Sequence, residues 1–202
     1  MNMELRQRLL GMAEEDQRVR AELASTGELF QGYAPRMAEV HRRNAQELES
    51  IIDRCGWPGK SLVGDDGANA AWLILQHAIG SPSLQRRCLA ILREAASHGE
   101  VEPAHVAYLE DRICFFERRP QRYGTQFDWD ENGQMSPWLL EDAEKVDEYR
   151  RSVGLGPLAE RLEQAREGTR GEAKPSDLKR RQEEMLEWAK SVGWLQHPLT
   201  TA

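Results

Sequence analysis

Along most of this chain, apolar residues recur at the three- and four-residue spacing of helices rather than the two-residue spacing of strands. Leu5, Leu9, Met12, Val19 and Leu23 form one stripe, which predicts an amphipathic helix from Asn2 to about Ala24. Met37, Val40, Leu48, Ile51, Ile52 and Cys55 form a second, with Pro35 in the first turn of a helix running to about Arg54. The stretch Ala68 to Ile79, ANAAWLILQHAI, carries no charged residue and is expected to be the central buried helix, capped by Asp65 or Asp66. A fourth helix opens at Ser81 and Pro82, as cap and first-turn pair, and runs to about Ser97 with Leu84, Cys88, Ile91, Leu92 and Ala95 inward. A fifth opens at Pro103 and runs to about Glu117 on Val106, Leu109, Ile113 and Phe116.

Strand patterning is confined to the segment around FDWDENGQMSPW. It predicts a β-hairpin turning at Glu131 to Gly133, with arms Thr125 to Trp129 and Gln134 to Trp138. From Leu139 the helical pattern returns, breaks at Gly154 to Pro157, and resumes to about Glu167. GTRGEAKPS reads as a polar linker, and Pro175 as the start of a last amphipathic helix carrying Leu178, Met185, Trp188 and Val192. The expected fold is therefore mainly α: a helical bundle around a buried central helix, with one small hairpin. Residues 1–167 are expected to form a single domain, and 168–202 a linker plus a C-terminal helix that docks on the domain or on a partner.

Some polar residues fall on the apolar faces. At 100° per residue Asp16 points the same way as Leu5 and Leu23, with Arg20 as its nearest sequence neighbour of opposite charge. The second stripe takes in His41 and Asn44, and the central helix ends in Gln76 and His77. A buried carboxylate or imidazole must be paired or must border a cavity, so these groups form either a satisfied network or a site. Asp111 lies opposite the core stripe of the fifth helix beside Ala104 and Ala107, and becomes a further member if that helix is packed on both faces.

Composition narrows the function classes. The net charge of −7 and pI near 5.4 lack the basic footprint of a nucleic-acid binder. No run of about 18 apolar residues and no apolar leader are present, so neither a membrane span nor a signal peptide is expected, and the location expected is cytoplasmic. The three cysteines are spaced far apart without a CxxC pair, as packing thiols are. GWPGKS lacks both the spacing and the preceding strand of a phosphate loop, although Lys60 and Ser61 remain candidates to face a ligand. DWDENG begins like a calcium loop, but Leu139 occupies the position where the bidentate Glu is required.

The segments EEDQRVR, GWPGKSLVG, AAWLILQHA, AYLEDR, QRYGTQ and DEYRRSVGLGPL together resemble an uncharacterised bacterial family of helical proteins, a domain of unknown function. The resemblance covers roughly Leu5 to Leu158 and implies one fold unit, without supplying a chemistry.

Two chemistries fit the inward polar set. In one, Asp16, His41, His77 and Asp111 hold one or two divalent metals, for which such ligands suit zinc, iron or manganese, and the metal activates water for hydrolysis. No HD dipeptide or HExxH signature stands behind it. In the other, His77 is a general acid or base oriented by a carboxylate. Lys60 or Arg112 then holds an anionic group, and Gln76, Tyr123, Gly124, Thr125 and Gln126 line the pocket. Both make the protein a small-molecule-processing enzyme, with hydrolytic or general acid/base chemistry expected around His77. The competing class is a non-catalytic module that binds a small molecule or peptide, or another protein through its tryptophans or, as an oligomer, through the C-terminal helix.

Overall fold

A computed structural model describes residues 1–30, 32–169 and 177–195. Gln31, in the connector after the first helix, and most of the linker with Pro175 lie outside those residues. The chain is mainly α, with eight helices and a two-stranded antiparallel hairpin among the described residues. It divides into two compact units, Met1–His105 and Val106–Ala202, with the division falling inside the fifth helix.

The first unit contains α1 (Met3–Thr26), α2 (Pro35–Cys55), α3 (Lys60–His77), α4 (Pro82–Ser97) and the first turn of α5 (Pro103–Phe116). Asn2 caps α1 by accepting from the Leu5 amide at 3.1 Å, and Gly27 ends it in the left-handed conformation that glycine adopts without strain. α3 packs against both α1 and α2, and its Val63, Ala71, Ile74 and Leu75 are nearly inaccessible, as are Leu9 of α1 and Leu48 and Ile51 of α2. The uncharged stretch is thus the core helix its sequence suggests.

α3 begins earlier than expected. Lys60 to Val63 already form a helical turn, and the chain then breaks at Gly64, whose φ of 75° favours glycine, before helix resumes. The GWPGKS segment is thereby helical from Lys60 rather than a loop. Its geometry shows why a glycine precedes Lys60: a Cβ on Gly59 would lie 2.5 Å from Glu100 Oε2 and 2.8 Å from Glu100 Cβ. The Glu100 carboxylate accepts from the Ser61 amide at 2.8 Å, so a side chain of the protein takes the anion position at this helix start. At α4, Ser81 makes no side-chain cap.

The second unit holds most of α5, the hairpin β1 (Phe127–Trp129) and β2 (Met135–Pro137), then α6 (Val146–Ser152), α7 (Leu158–Gly168) and α8 (Leu178–Val192). The strands pair Phe127 with Pro137, Asp128 with Ser136 and Trp129 with Met135. Asp130 closes the turn by accepting from the Asn132 and Gln134 amides and the Ser136 hydroxyl, each at 2.9 Å. The second carboxylate of the calcium-like motif is thus spent on turn amides. Helix does not return at Leu139: Leu140 bridges to Gln121, and Asp142 accepts from the Glu144 and Lys145 amides, delaying α6 to Val146. Asp177 caps the described part of the last helix, accepting from the Arg180 amide at 2.8 Å. α8 meets α5 through Trp188 and Phe116, whose ring centroids lie 5.6 Å apart, and Arg181 reaches the buried Asp128 at 2.6 Å.

Candidate functional site

Within the first unit three helices place one polar side chain each at a common point. On α1 the inaccessible residues Leu9, Asp16, Val19 and Leu23 share a face, so the helical period itself turns the Asp16 carboxylate indoors. α2 does the same with His41 between Val40 and Asn44. α3 delivers His77 as its last residue. Asp16 Oδ1 lies 2.9 Å from His77 Nδ1, and Asp16 Oδ2 lies 3.2 Å from His41 Nε2. One ligating atom from each residue falls within 4.8 Å of the others. The expected partner Arg20 is exposed; the two histidines take its place.

The site is held from behind. Tyr33 places its hydroxyl 2.7 Å from His41 Nδ1, and Gln17 donates to Asp16 Oδ1 at 3.2 Å. Asn44 donates to the Met12 carbonyl at 3.3 Å, tying α2 to α1 one turn from the cluster. The end of α3 is fixed by the inaccessible Gln85 of α4, which donates to the carbonyls of Leu75 at 2.8 Å and Gln76 at 3.4 Å, beside the Ala78 amide that also reaches Leu75. His77 is therefore positioned by backbone as well as by Asp16.

Burial by itself would raise the Asp16 carboxyl, but the adjacent imidazoles of His41 and His77 outweigh it and hold the group well below the usual carboxylate range. It is a carboxylate at neutral pH. Burial, followed by that negative charge, drives the Tyr33 phenol well above its ordinary range, so it stays protonated. The Asp16 side chain is 1% exposed and that of His77 21%, so the carboxylate is sealed while the imidazole reaches the surface. Among the described residues, His77 Nε2 has no hydrogen-bond partner.

The remaining sequence candidates are arranged differently. Lys60 is ion-paired with Glu102 and lies 3.8 Å from Asp65. Gln76 sits beside His77, with its carbonyl on Gln85. Asp111, Arg112 and the Tyr123 to Gln126 turn come together in the second unit. There the inaccessible Asp111 accepts from the amides of Arg122 at 2.9 Å, Tyr123 at 3.1 Å and Thr125 at 2.9 Å, and from the Thr125 hydroxyl at 3.0 Å. Arg112 Nε approaches Gln126 Oε1 at 3.4 Å. Arg150, a buried cation, donates to the Tyr123 carbonyl at 2.7 Å and to Gly156 at 2.6 Å. Gly124, at a φ of 61°, sits where a Cβ would lie 2.9 Å from Leu158 Cδ1. QRYGTQ is thus a turn built around a buried carboxylate and clamped by a buried guanidinium.

Tyr33, Gln85, Gln121 and Arg150 belong to these two arrangements but were not singled out from the sequence. Gln121 left a signal, because it opens the QRYGTQ segment. It donates to the carbonyls of Gln126 and Trp138 and accepts from the Gln126 amide.

The geometry now has a family context. Residues 3–170 match a family of unknown function, DUF6624. The chain belongs to this family. No curated protein and no solved structure matches the chain. Both arrangements fall inside the matched region. No helix among the described residues is long and apolar enough to cross a membrane.

Proposed function

We propose that this DUF6624 member is a hydrolase of small molecules in the cytoplasm that activates water at Asp16, His41 and His77. The observation that carries the reading is the contact of His77 Nδ1 with a buried, ionised Asp16 at 2.9 Å, with Nε2 of the same ring free at the surface. A carboxylate on Nδ1 selects the tautomer whose proton sits there, so the lone pair lies on Nε2. Nε2 then takes a proton from water as that water attacks an acyl or phosphoryl centre, and returns the proton to the leaving group. Asp16 stabilises the imidazolium formed between these steps without accepting the proton itself. His41, with Tyr33 on its Nδ1, faces the second oxygen of Asp16 at 3.2 Å and adds to the local charge balance of the carboxylate.

The test is a panel of chromogenic carboxylic esters, amides, phosphomonoesters and phosphodiesters, run with the wild type, His77→Ala and His77→Gln. Turnover of one class should fall by a factor of about 10²–10⁴ in both variants, the usual contribution of a general base. Their melting temperatures should stay close to that of the wild type. Wild-type rates in folded His77→Ala would rule the reading out.

A further inference from the structure

We infer that Asp16, His41 and His77 also form a binding site for one divalent transition-metal ion, which this reading of the site as a water-activating centre makes a natural occupant. The argument starts from two atoms. Asp16 Oδ2 and His41 Nε2 are both fully buried and face each other at 3.2 Å, yet neither has an aligned hydrogen bond to the other or to any further group among the described residues. Buried polar atoms are rarely left so, because each forfeits its hydration without compensation. A cation between them satisfies both at once. His77 Nδ1 would supply the third donor in place of its bond to Asp16, its proton passing to Nε2, and with the ion bound the ion rather than Nε2 would activate water.

The spacing suits such an ion. Four-coordinate zinc with bonds of about 2.0–2.1 Å sets its ligand atoms about 3.3 Å apart. Here Asp16 Oδ2 lies 3.2 Å from His41 Nε2, Asp16 Oδ1 lies 2.9 Å from His77 Nδ1, and one ligating atom from each of the three residues falls within 4.8 Å of the others, so the set closes on an ion by a shift of about 1 Å or less per donor. The rings of His41 and His77 lie 5.1 Å apart, centre to centre, and are tilted by 37°. Two imidazoles and one carboxylate select zinc, iron(II) or manganese(II) over calcium, which needs six to eight oxygens where this site has a single carboxylate. Tyr33 is the outer partner that such a histidine ligand ordinarily has: its oxygen, 2.7 Å from His41 Nδ1, accepts the proton there and leaves Nε2 free for metal. Three protein donors also leave a coordination position for water, as catalytic rather than structural sites do.

The test uses the full chain, stripped with chelator and titrated with zinc, manganese(II) and, as a spectroscopic stand-in, cobalt(II). One equivalent should bind, the melting temperature should rise with ion concentration, and cobalt should give the visible bands of a low-symmetry site with nitrogen ligands. His41→Ala should weaken binding at least about 100-fold, and Tyr33→Phe about 10- to 100-fold, the usual effect of losing an outer-shell partner. The exposed His98→Ala should bind as the wild type does. Absence of saturable binding in the wild type, or equal binding by wild type and folded His41→Ala, would overturn the inference. Because cobalt binding is read on the wild type, the inference remains testable if a variant fails to fold. Hydrolysis that depends on His77 in a chain that binds no ion would overturn the metal site while leaving the hydrolytic reading intact. Ion binding with no turnover on the panel would support the site and count against hydrolysis.

Discussion

Asp16 and His77 stand 61 residues apart in sequence, and Asp16 Oδ1 lies 2.9 Å from His77 Nδ1. The two are not equivalent, since the carboxylate is sealed from solvent and the imidazole is not. Asp16→Ala leaves two imidazoles around a buried void, and should cost about 3 kcal/mol of stability by urea denaturation, the scale for removing one partner of a buried charged contact. His77→Ala, at the partly exposed edge, should cost about 1 kcal/mol. Equal losses would mean that the carboxylate is not the buried member of the pair.

Asp111 presents the opposite situation: its oxygens are occupied by donors of its own chain. Asp111→Ala orphans the amides of Arg122, Tyr123 and Thr125 together with the Thr125 hydroxyl. The expected cost is about 3 kcal/mol, against about 1 kcal/mol for Thr125→Ala, which removes only one donor. Chemical denaturation of both variants checks the ratio. A neutral Asp111→Ala would show that the turn does not depend on its carboxylate.

Two glycines separate backbone packing from chain flexibility. Gly59→Ala brings a methyl group within 2.8 Å of Glu100 Cβ, whereas nothing lies within 4 Å of the corresponding position at Gly80. Gly59→Ala should destabilise by about 1–3 kcal/mol, as overpacking does. Gly80→Ala should be neutral or stabilising by up to about 1 kcal/mol, through the less flexible unfolded chain. Thermal melting of the two variants distinguishes them.

Thiol reactivity provides a check that needs no mutation. Cys55 is exposed, while Cys88 and Cys114 are buried and burial pushes the Cys88 thiol up to about 12. Only the thiolate reacts with a disulfide reagent. One thiol should therefore react rapidly in the native chain and all three in denaturant. Rapid reaction of Cys88 in the native protein would mean that α4 does not pack as described.

The helices and the central cluster were legible in the sequence for one reason: Asp16 and His41 lie in long helices, where the 3.6-residue period fixes direction. Tyr33 escaped because it sits in the connector before α2, where no period applies. Arg150 escapes because one of two adjacent arginines in a charged segment reads as solvated, whereas the carbonyls of Tyr123, Gly124 and Gly156 offset its burial. The delayed start of α6 was hidden similarly, since Asp142 fixes a local turn through backbone amides and apolar spacing carries no trace of it. The helical period turns Asp111 inward only if its helix is packed on both faces. What it would meet depended on how a turn 11 to 14 residues downstream folded back.

The most direct test of the central claim, that Asp16 and His77 act as one unit, is a double-mutant cycle. The quantity measured is kcat/KM for Asp16→Asn, His77→Gln and the double variant, on the substrate class that the panel identifies. If they share one water-activating centre, each single variant loses about 10²–10⁴ and the double variant loses little more than the worse single, because residues acting as a unit are not additive. Losses that multiply in the double variant would contradict the account, as would a folded Asp16→Asn with wild-type kcat/KM.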